Sequence, residues 1–200
     1  MIVREVMTRE PVTVSPTADA KSALALMADR SITMLPVVDA RGNLRGVVSE
    51  PDLLRDRVEP DQRLHERPLP DAPSLAPVHV VDVMTTGVHS VTADTDVADA
   101  VQLLVSTGVK SLPVVGRHGS VEGVLSRSDV VRAVARSDEA LELAIDDLFA
   151  RGGLAAWTAH VKDGVAEITG TGPRRQASLA RALARTITGV TGVRVREEAE

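Results

Sequence analysis

The 200-residue chain has no cysteine and no tyrosine, and only one phenylalanine and one tryptophan. Without cysteine there can be no disulfide, no thiol nucleophile and no thiolate metal site. The two large rings, Phe149 and Trp157, both lie beyond residue 148, so the first 148 residues offer no platform on which nucleic-acid bases could stack. Basic residues are not in excess either. The formal net charge is −5, without the cationic footprint that polyanion binders carry, and no nucleic-acid partner is expected. No apolar run reaches the length that crosses a bilayer. The opening "MIVREVMTRE" is charged within five residues and lacks an apolar leader, so a cytoplasmic location is expected. Lysine is confined to Lys21, Lys110 and Lys162 while arginine and alanine abound, a bias expected of a GC-rich bacterial genome. The length allows one large domain or two to three small ones.

What is present is a duplication. Met7-Thr8 returns as Met84-Thr85, and "LPVV" at 35–38 returns at 112–115. Gly42, Gly46, Ser49, Asp52 and Arg55 return as Gly119, Gly123, Ser126, Asp129 and Arg132. The offset is constant, and 3–58 aligns with 80–135 without a gap at roughly one-third identity.

Each copy predicts the same unit. A short apolar stretch, "PVTV" or "HSV", precedes an acidic helix start at Asp19 or Asp96. Ala20, Ala23, Leu24, Met27 and Ala28 then share one helical face, as do Val97, Ala100, Val101, Leu104 and Val105. Two apolar runs around a turn-rich pentapeptide ("DARGN" in the first copy) predict a β-hairpin, with Pro36 and Pro113 at a strand start or edge. Ser49 and Ser126 stand where N-caps belong. The predicted unit is β-α-β-β-α with a helical lead-in. Five prolines in "EPDQRLHERPLPDAPSLAP" mark a connector, giving units at 1–58 and 80–136 joined by a linker at 59–79.

After Arg136 the register ends, and 137–200 reads as a separate domain. "SDEALELAIDDLFAR" is an amphipathic helix with a Ser N-cap and apolar Leu141, Ala144, Ile145 and Leu148. "WTAHVKDGVAEITGT" is a hairpin about Asp163-Gly164, "PRRQASLARALARTI" is a second helix that Gly189 closes, and "VTGVRVRE" is a strand. The order is α-β-β-α-β.

These residues carry a resemblance. "VREVMT" and "VVDVMT", the doubled "LPVV", and "GVVSEPD" with "GVLSRSD" make 1–136 similar to a tandem pair of CBS domains, a Bateman module. "VKDGVAEITGTGPRRQASLARALARTITGVTGVRV" resembles a BON domain. The resemblance implies a mixed α-β fold, two CBS units packed as a pseudo-two-fold pair, with a small α-β-β-α-β domain behind them. It also implies adenosine-containing ligands in two clefts between the units, AMP, ADP or ATP before S-adenosylmethionine. The motif Ser would meet phosphate and the Asp the ribose hydroxyls: Ser49 and Asp52 in one cleft, Ser126 and Asp129 in the other. Elementary chemistry agrees, since a carboxylate can accept two bonds from a vicinal diol and helix-start N–H groups favour anions. Capping alone would explain the same residues, but both recur in a matching frame, which favours binding.

The copies are unequal. Lys110 precedes "SLPVV" where the first copy has Thr33, and Arg127 stands where the first copy has Glu50. Two extra cations make the second site the expected stronger one for phosphate.

No catalytic set is visible. The five histidines are scattered without metal-ligand spacing, no base lies near Ser49 or Ser126, and no P-loop occurs. Arg174, Arg181 and Arg185 share a helical face. A contact with anionic membrane is considered and disfavoured, the expectation being that Asp138, Glu142 and Asp146 of the preceding helix answer these charges. The sequence therefore predicts a non-enzymatic regulatory protein, a homodimer through its CBS helices, which senses an adenine nucleotide and uses the C-terminal domain as output. The alternative is a dimerising scaffold whose C-terminal domain binds a membrane or protein.

Overall fold

The computed structural model describes residues 1–55 and 78–197; the expected linker at 59–79 lies, apart from Val78 and His79, outside the described residues. Two compact units are formed. One comprises Arg9–Thr92 with Ser111–Val124, and the other Met1–Thr8, Ala93–Lys110 and Leu125–Glu200.

The first copy opens with a 3-10 turn (Val3–Glu5) and the short strand β1 (Thr8–Arg9). Helix α1 (Ala20–Arg30) begins where Asp19 accepts the Ser22 N–H at 2.9 Å and ends at left-handed Ser31. The hairpin β2 (Met34–Val38) and β3 (Leu44–Ser49) pairs antiparallel from Met34↔Ser49 to Val38↔Leu44, and α2 (Glu50–Leu54) follows at once. The second copy supplies α3 (Val80–Val83), α4 (Val97–Thr107), β4 (Ser111–Val115), β5 (Val121–Ser126) and α5 (Arg127–Val134). Its strands repeat the first copy's burial pattern, position for position, with three consecutive buried residues in β2 and β4. The duplicated text is thus a duplicated burial pattern.

The expected first strand of each copy shrinks to one parallel bridge, Val14↔Val37 and Val91↔Val114. Val14 donates to the Pro36 carbonyl and accepts from Val38, while Val91 donates to Pro113 and accepts from Val115. A parallel ladder continues only if the next residue on the same edge has an N–H. That residue is Pro36 or Pro113, which has none, so the ladder stops.

The lead-ins are exchanged. Within the first unit, α3 of the second copy docks on the start of α1: Ala20 donates to Val78, Val80 to Ala18, and Thr85 exchanges two backbone bonds with Val47. Within the second unit, the first copy's lead-in does the same for α4, with Val3 donating to Thr95 and Val97 to Met1. Val3 and Val80 are both fully buried. Gly46 faces the exchanged segment. A Cβ there would lie 2.4 Å from the Thr85 carbonyl oxygen, which explains a glycine inside a strand. The core of the first unit gathers Ala20, Ala23, Met27, Leu35, Val37, Val48, Leu53 and Val80.

Residues after 136 continue the second unit in the order read from the sequence: α6 (Asp138–Arg151), β6 (Trp157–Lys162), β7 (Val165–Gly170), α7 (Arg174–Ala184) and β8 (Gly192–Glu197). The sheet order is β6-β7-β8, with β6 and β7 antiparallel and β8 parallel to β7. Asp163 and Gly164 have φ of 52° and 75°, the two positive values that a tight hairpin turn of this hand requires. Leu141, Ile145, Phe149, Trp157 and Ile168 fill the core, and α7 approaches through Ala177, Ala180 and Ala184. Phe149, rather than the expected Leu148, completes the buried stripe of α6.

Candidate functional site

The two Ser-x-x-Asp motifs sit at strand-to-helix junctions of the same design. Ser49 ends β3 and Ser126 ends β5 in extended conformation, each at the N-cap position of the helix that follows, and the Ser126 hydroxyl accepts a helix N–H whereas the Ser49 hydroxyl does not. In the first junction the Asp52 carboxylate accepts the Ser49 N–H at 2.9 Å and its hydroxyl at 2.5 Å, both through Oδ2. In the second, Asp129 Oδ2 accepts the Ser126 N–H at 2.9 Å and its hydroxyl at 2.6 Å. Asp129 N–H donates back to the Ser126 hydroxyl at 3.2 Å. This is a capping box with Asp at the third helical position. It spends one carboxylate oxygen, Oδ2, on the serine and leaves the other outside these bonds.

The remaining oxygens differ. Asp129 Oδ1 accepts from Arg132 Nη1 at 3.1 Å, and Asp129 is only 8% exposed, the one buried charged residue among those described. Asp52 is half-buried, and among the described residues it has no ion pair. Arg132 is a contributor that the sequence reading passed over. The signal was there, because Arg55 and Arg132 belong to the repeat.

The residue before each hairpin is tied to the motif. The Thr33 carbonyl accepts the Glu50 N–H at 3.2 Å, and the Lys110 carbonyl accepts the Arg127 N–H at 3.0 Å. Lys110 is therefore held beside the second junction by its backbone, with an exposed side chain free to extend. Arg127 is placed otherwise. Its Nη2 donates to the Leu104 carbonyl at 3.0 Å in the last turn of α4, where a cation complements the helix C-terminus. Ser126, Asp129, Lys110 and Arg127 thus come together at one junction, with the Arg127 guanidinium directed to α4. Ser49 and Asp52 form the other junction, where Thr33 and Glu50 stand at the positions of Lys110 and Arg127.

No group of His, Asp or Glu among the described residues could hold a metal ion. The acidic residues of α6 are not where charge balance predicted. Asp138 accepts the N–H groups of Asp163 and Gly164 at 2.8 and 2.9 Å, Glu142 that of Val161 at 2.6 Å, and Asp146 that of Ala159 at 3.3 Å. They line the outer edge of β6 instead of pairing with the arginines of α7, because unpaired strand N–H groups on that edge are closer acceptor-seekers.

The CBS domain family matches residues 3–59 and 80–136. The chloroplastic CBS domain-containing protein CBSX2 of Arabidopsis thaliana is 33% identical over 135 residues, 60% of this chain and 57% of that protein. An uncharacterized protein of Methanocaldococcus jannaschii is 31% identical over 136 residues, but the matched stretch is 32% of its length. Among solved structures, CBSX2 in complex with AMP is 34% identical with a TM-score of 0.55, covering 66% of this chain and 94% of that one. A putative acetoin utilization protein from Vibrio cholerae is 27% identical with a TM-score of 0.55, covering 76% and 96%. The chain belongs to the CBS domain family and carries the domain twice.

Proposed function

We propose that this member of the CBS domain family is a non-enzymatic regulatory protein that binds an adenine nucleotide of the AMP, ADP or ATP class at its Ser-x-x-Asp junctions. The observation that carries the reading is the repeated carboxylate with one oxygen anchored by the capping serine. An anchored carboxylate keeps its second oxygen oriented toward a ribose diol without further ordering cost. The AMP complex of CBSX2 supports the ligand class. Ser49 or Ser126 would meet phosphate, and Lys110 would add a charge-assisted contact at the second junction. At that junction the diol must displace Arg132, which is 76% exposed, so the ion pair given up is worth little.

In this reading the C-terminal domain, similar to a BON domain, is the output, and the protein is a cytoplasmic homodimer. Val105 and Val131, 70% and 65% exposed on α4 and α5, favour pairing through those helices. Calorimetric titration with AMP, ATP and S-adenosylmethionine tests the proposal. Asp129→Ala is expected to weaken nucleotide binding at least tenfold, the equivalent of about 1.4 kcal/mol or more, and more than Asp52→Ala does. Absence of heat with all three ligands, or equal and negligible effects of both substitutions, would leave the dimerising scaffold as the better account.

A further inference from the structure

The C-terminal sheet has two edges, and the chain treats them differently. The β6 edge is closed by the α6 carboxylates of Asp138, Glu142 and Asp146. The β8 edge is open: β8 pairs only with β7, and among the described residues no backbone bond leaves 192–197 on the far side. An open edge is a template for another strand unless something blunts it.

Beside that edge runs a cavity of about 500 Å³ lined by Arg174, Ala177, Ser178, Arg181 and Val195. Its floor is apolar, with Ala177 buried and Val195 half-buried against the core. Its rim is cationic. Arg174, Ser178, Arg181 and Arg185 are exposed along one face of α7, and among the described residues none of these arginine side chains has an ion pair or hydrogen bond. The α6 acids Asp138, Glu142 and Asp146 are occupied on the opposite edge. Arg196 is different, since its Nε lies 2.6 Å from Glu167.

We propose that the open edge of β8 and the arginine face of α7 form a docking groove for an acidic, extended segment of a partner protein. The segment adds as a fourth strand, its backbone satisfying the β8 edge and its carboxylates meeting Arg174 and Arg181. The spacing suits this. Arg174 and Arg181 stand about 10 Å apart along the helix, and same-face residues of a strand repeat every ~7 Å, so long guanidinium side chains reach successive carboxylates. Backbone pairing gives affinity, and the arginine forks select acidic over neutral or basic sequences. The groove is independent of nucleotide binding.

The test uses the full chain and a fluorescein-labelled octapeptide of alternating Glu and Val, followed by anisotropy. Two control peptides replace Glu by Lys or methylate alternate backbone nitrogens. Binding is expected for the Glu-Val peptide alone, weakened at least tenfold in the Arg174→Glu/Arg181→Glu double variant. Both positions are exposed, and unchanged Trp157 emission verifies that the variant is folded. No binding of the Glu-Val peptide at millimolar concentration would overturn the proposal. So would equal binding of a backbone-methylated peptide, which would reduce the groove to a charged patch. Binding to anionic phospholipid vesicles or to a single-stranded oligonucleotide without peptide binding would overturn it in favour of a different partner.

Discussion

Replacing Glu142 by alanine tests how the C-terminal domain protects its first strand. The Glu142 carboxylate accepts the Val161 N–H at 2.6 Å and lies 2.7 Å from His160 Nδ1. Val161 is 3% exposed, so its freed N–H is poorly placed to recover a water. A hydrogen bond to a charged group contributes about 1.5–3 kcal/mol. The Glu142 side chain is 29% exposed, and solvent screening places the expected loss near the lower end, about 2 kcal/mol. Asp146→Ala should cost under about 1 kcal/mol, because its bond to the Ala159 N–H is long at 3.3 Å and exposed. Asp138→Ala should fall between them: it loses two bonds, to the Asp163 and Gly164 N–H groups, but only that of Gly164 is part-buried. Urea unfolding followed by Trp157 fluorescence reads the effect, since the lone tryptophan is 2% exposed in this core. With a slope of about 1–2 kcal/mol/M, Glu142→Ala should lower the midpoint by roughly 1–2 M. Glu142→Gln, which keeps an acceptor without charge, should lose about half as much. The order Glu142, Asp138, Asp146 is the essential content. Equal small shifts for all three would refute the reasoning and make the carboxylates ordinary surface charges.

Two further outcomes are expected. The Asp39 carboxyl is held below the usual carboxylate range, first by the Asn43 N–H and then by the Arg41 N–H, the Asn43 side chain and Arg45. Its stabilising contribution is therefore present above the ordinary pKa near 3.8 and lost as pH falls through the lower folded value. Asp39→Asn should flatten the stability profile below about pH 4, and an unchanged acid limb would count against this. On the proposed function, nucleotide binding should also reach Trp157. Helix α5 carries Asp129 near its start, and beyond its end Arg136 Nη1 donates to the Thr188 carbonyl at 2.7 Å. A Cβ on Gly189 would lie 2.8 Å from the Ala133 carbonyl oxygen, so the two segments are in close register. Contact is not yet coupling. Saturating AMP should alter Trp157 quenching in the parent chain and less so in Arg136→Ala, whereas an unaltered signal with binding verified calorimetrically would separate the C-terminal domain from the nucleotide response.

Much of the site could be read from the chain because its determinants are local. Ser126 and Asp129 are three residues apart, the spacing of a capping box, and Ser49 and Asp52 repeat it. The Asp163-Gly164 hairpin was legible for the same reason, since two adjacent residues set its turn. Arg132 escaped notice because a helical arginine commonly faces water, and only the structure turns it onto Asp129. Position alone makes Arg127 a candidate ligand cation. Its guanidinium answers a carbonyl 23 residues earlier, a relation with no sequence period to reveal it.

The duplication, the absence of thiol chemistry, the order of elements and the paired carboxylates were determined by the sequence itself, through periodicity, residue type and short-range spacing. The exchange of lead-ins was decided by the tertiary structure. Val3 and Val80 each complete a helix start in the other copy's territory, and a repeat with a constant offset is equally compatible with docking at home. The same holds for the α6 carboxylates. Their helical spacing is compatible with facing α7 arginines or a strand, and the unpaired N–H groups along β6 and its turn settled the choice, because a part-buried donor such as that of Val161 or Gly164 left without an acceptor costs more than an exposed arginine left in water.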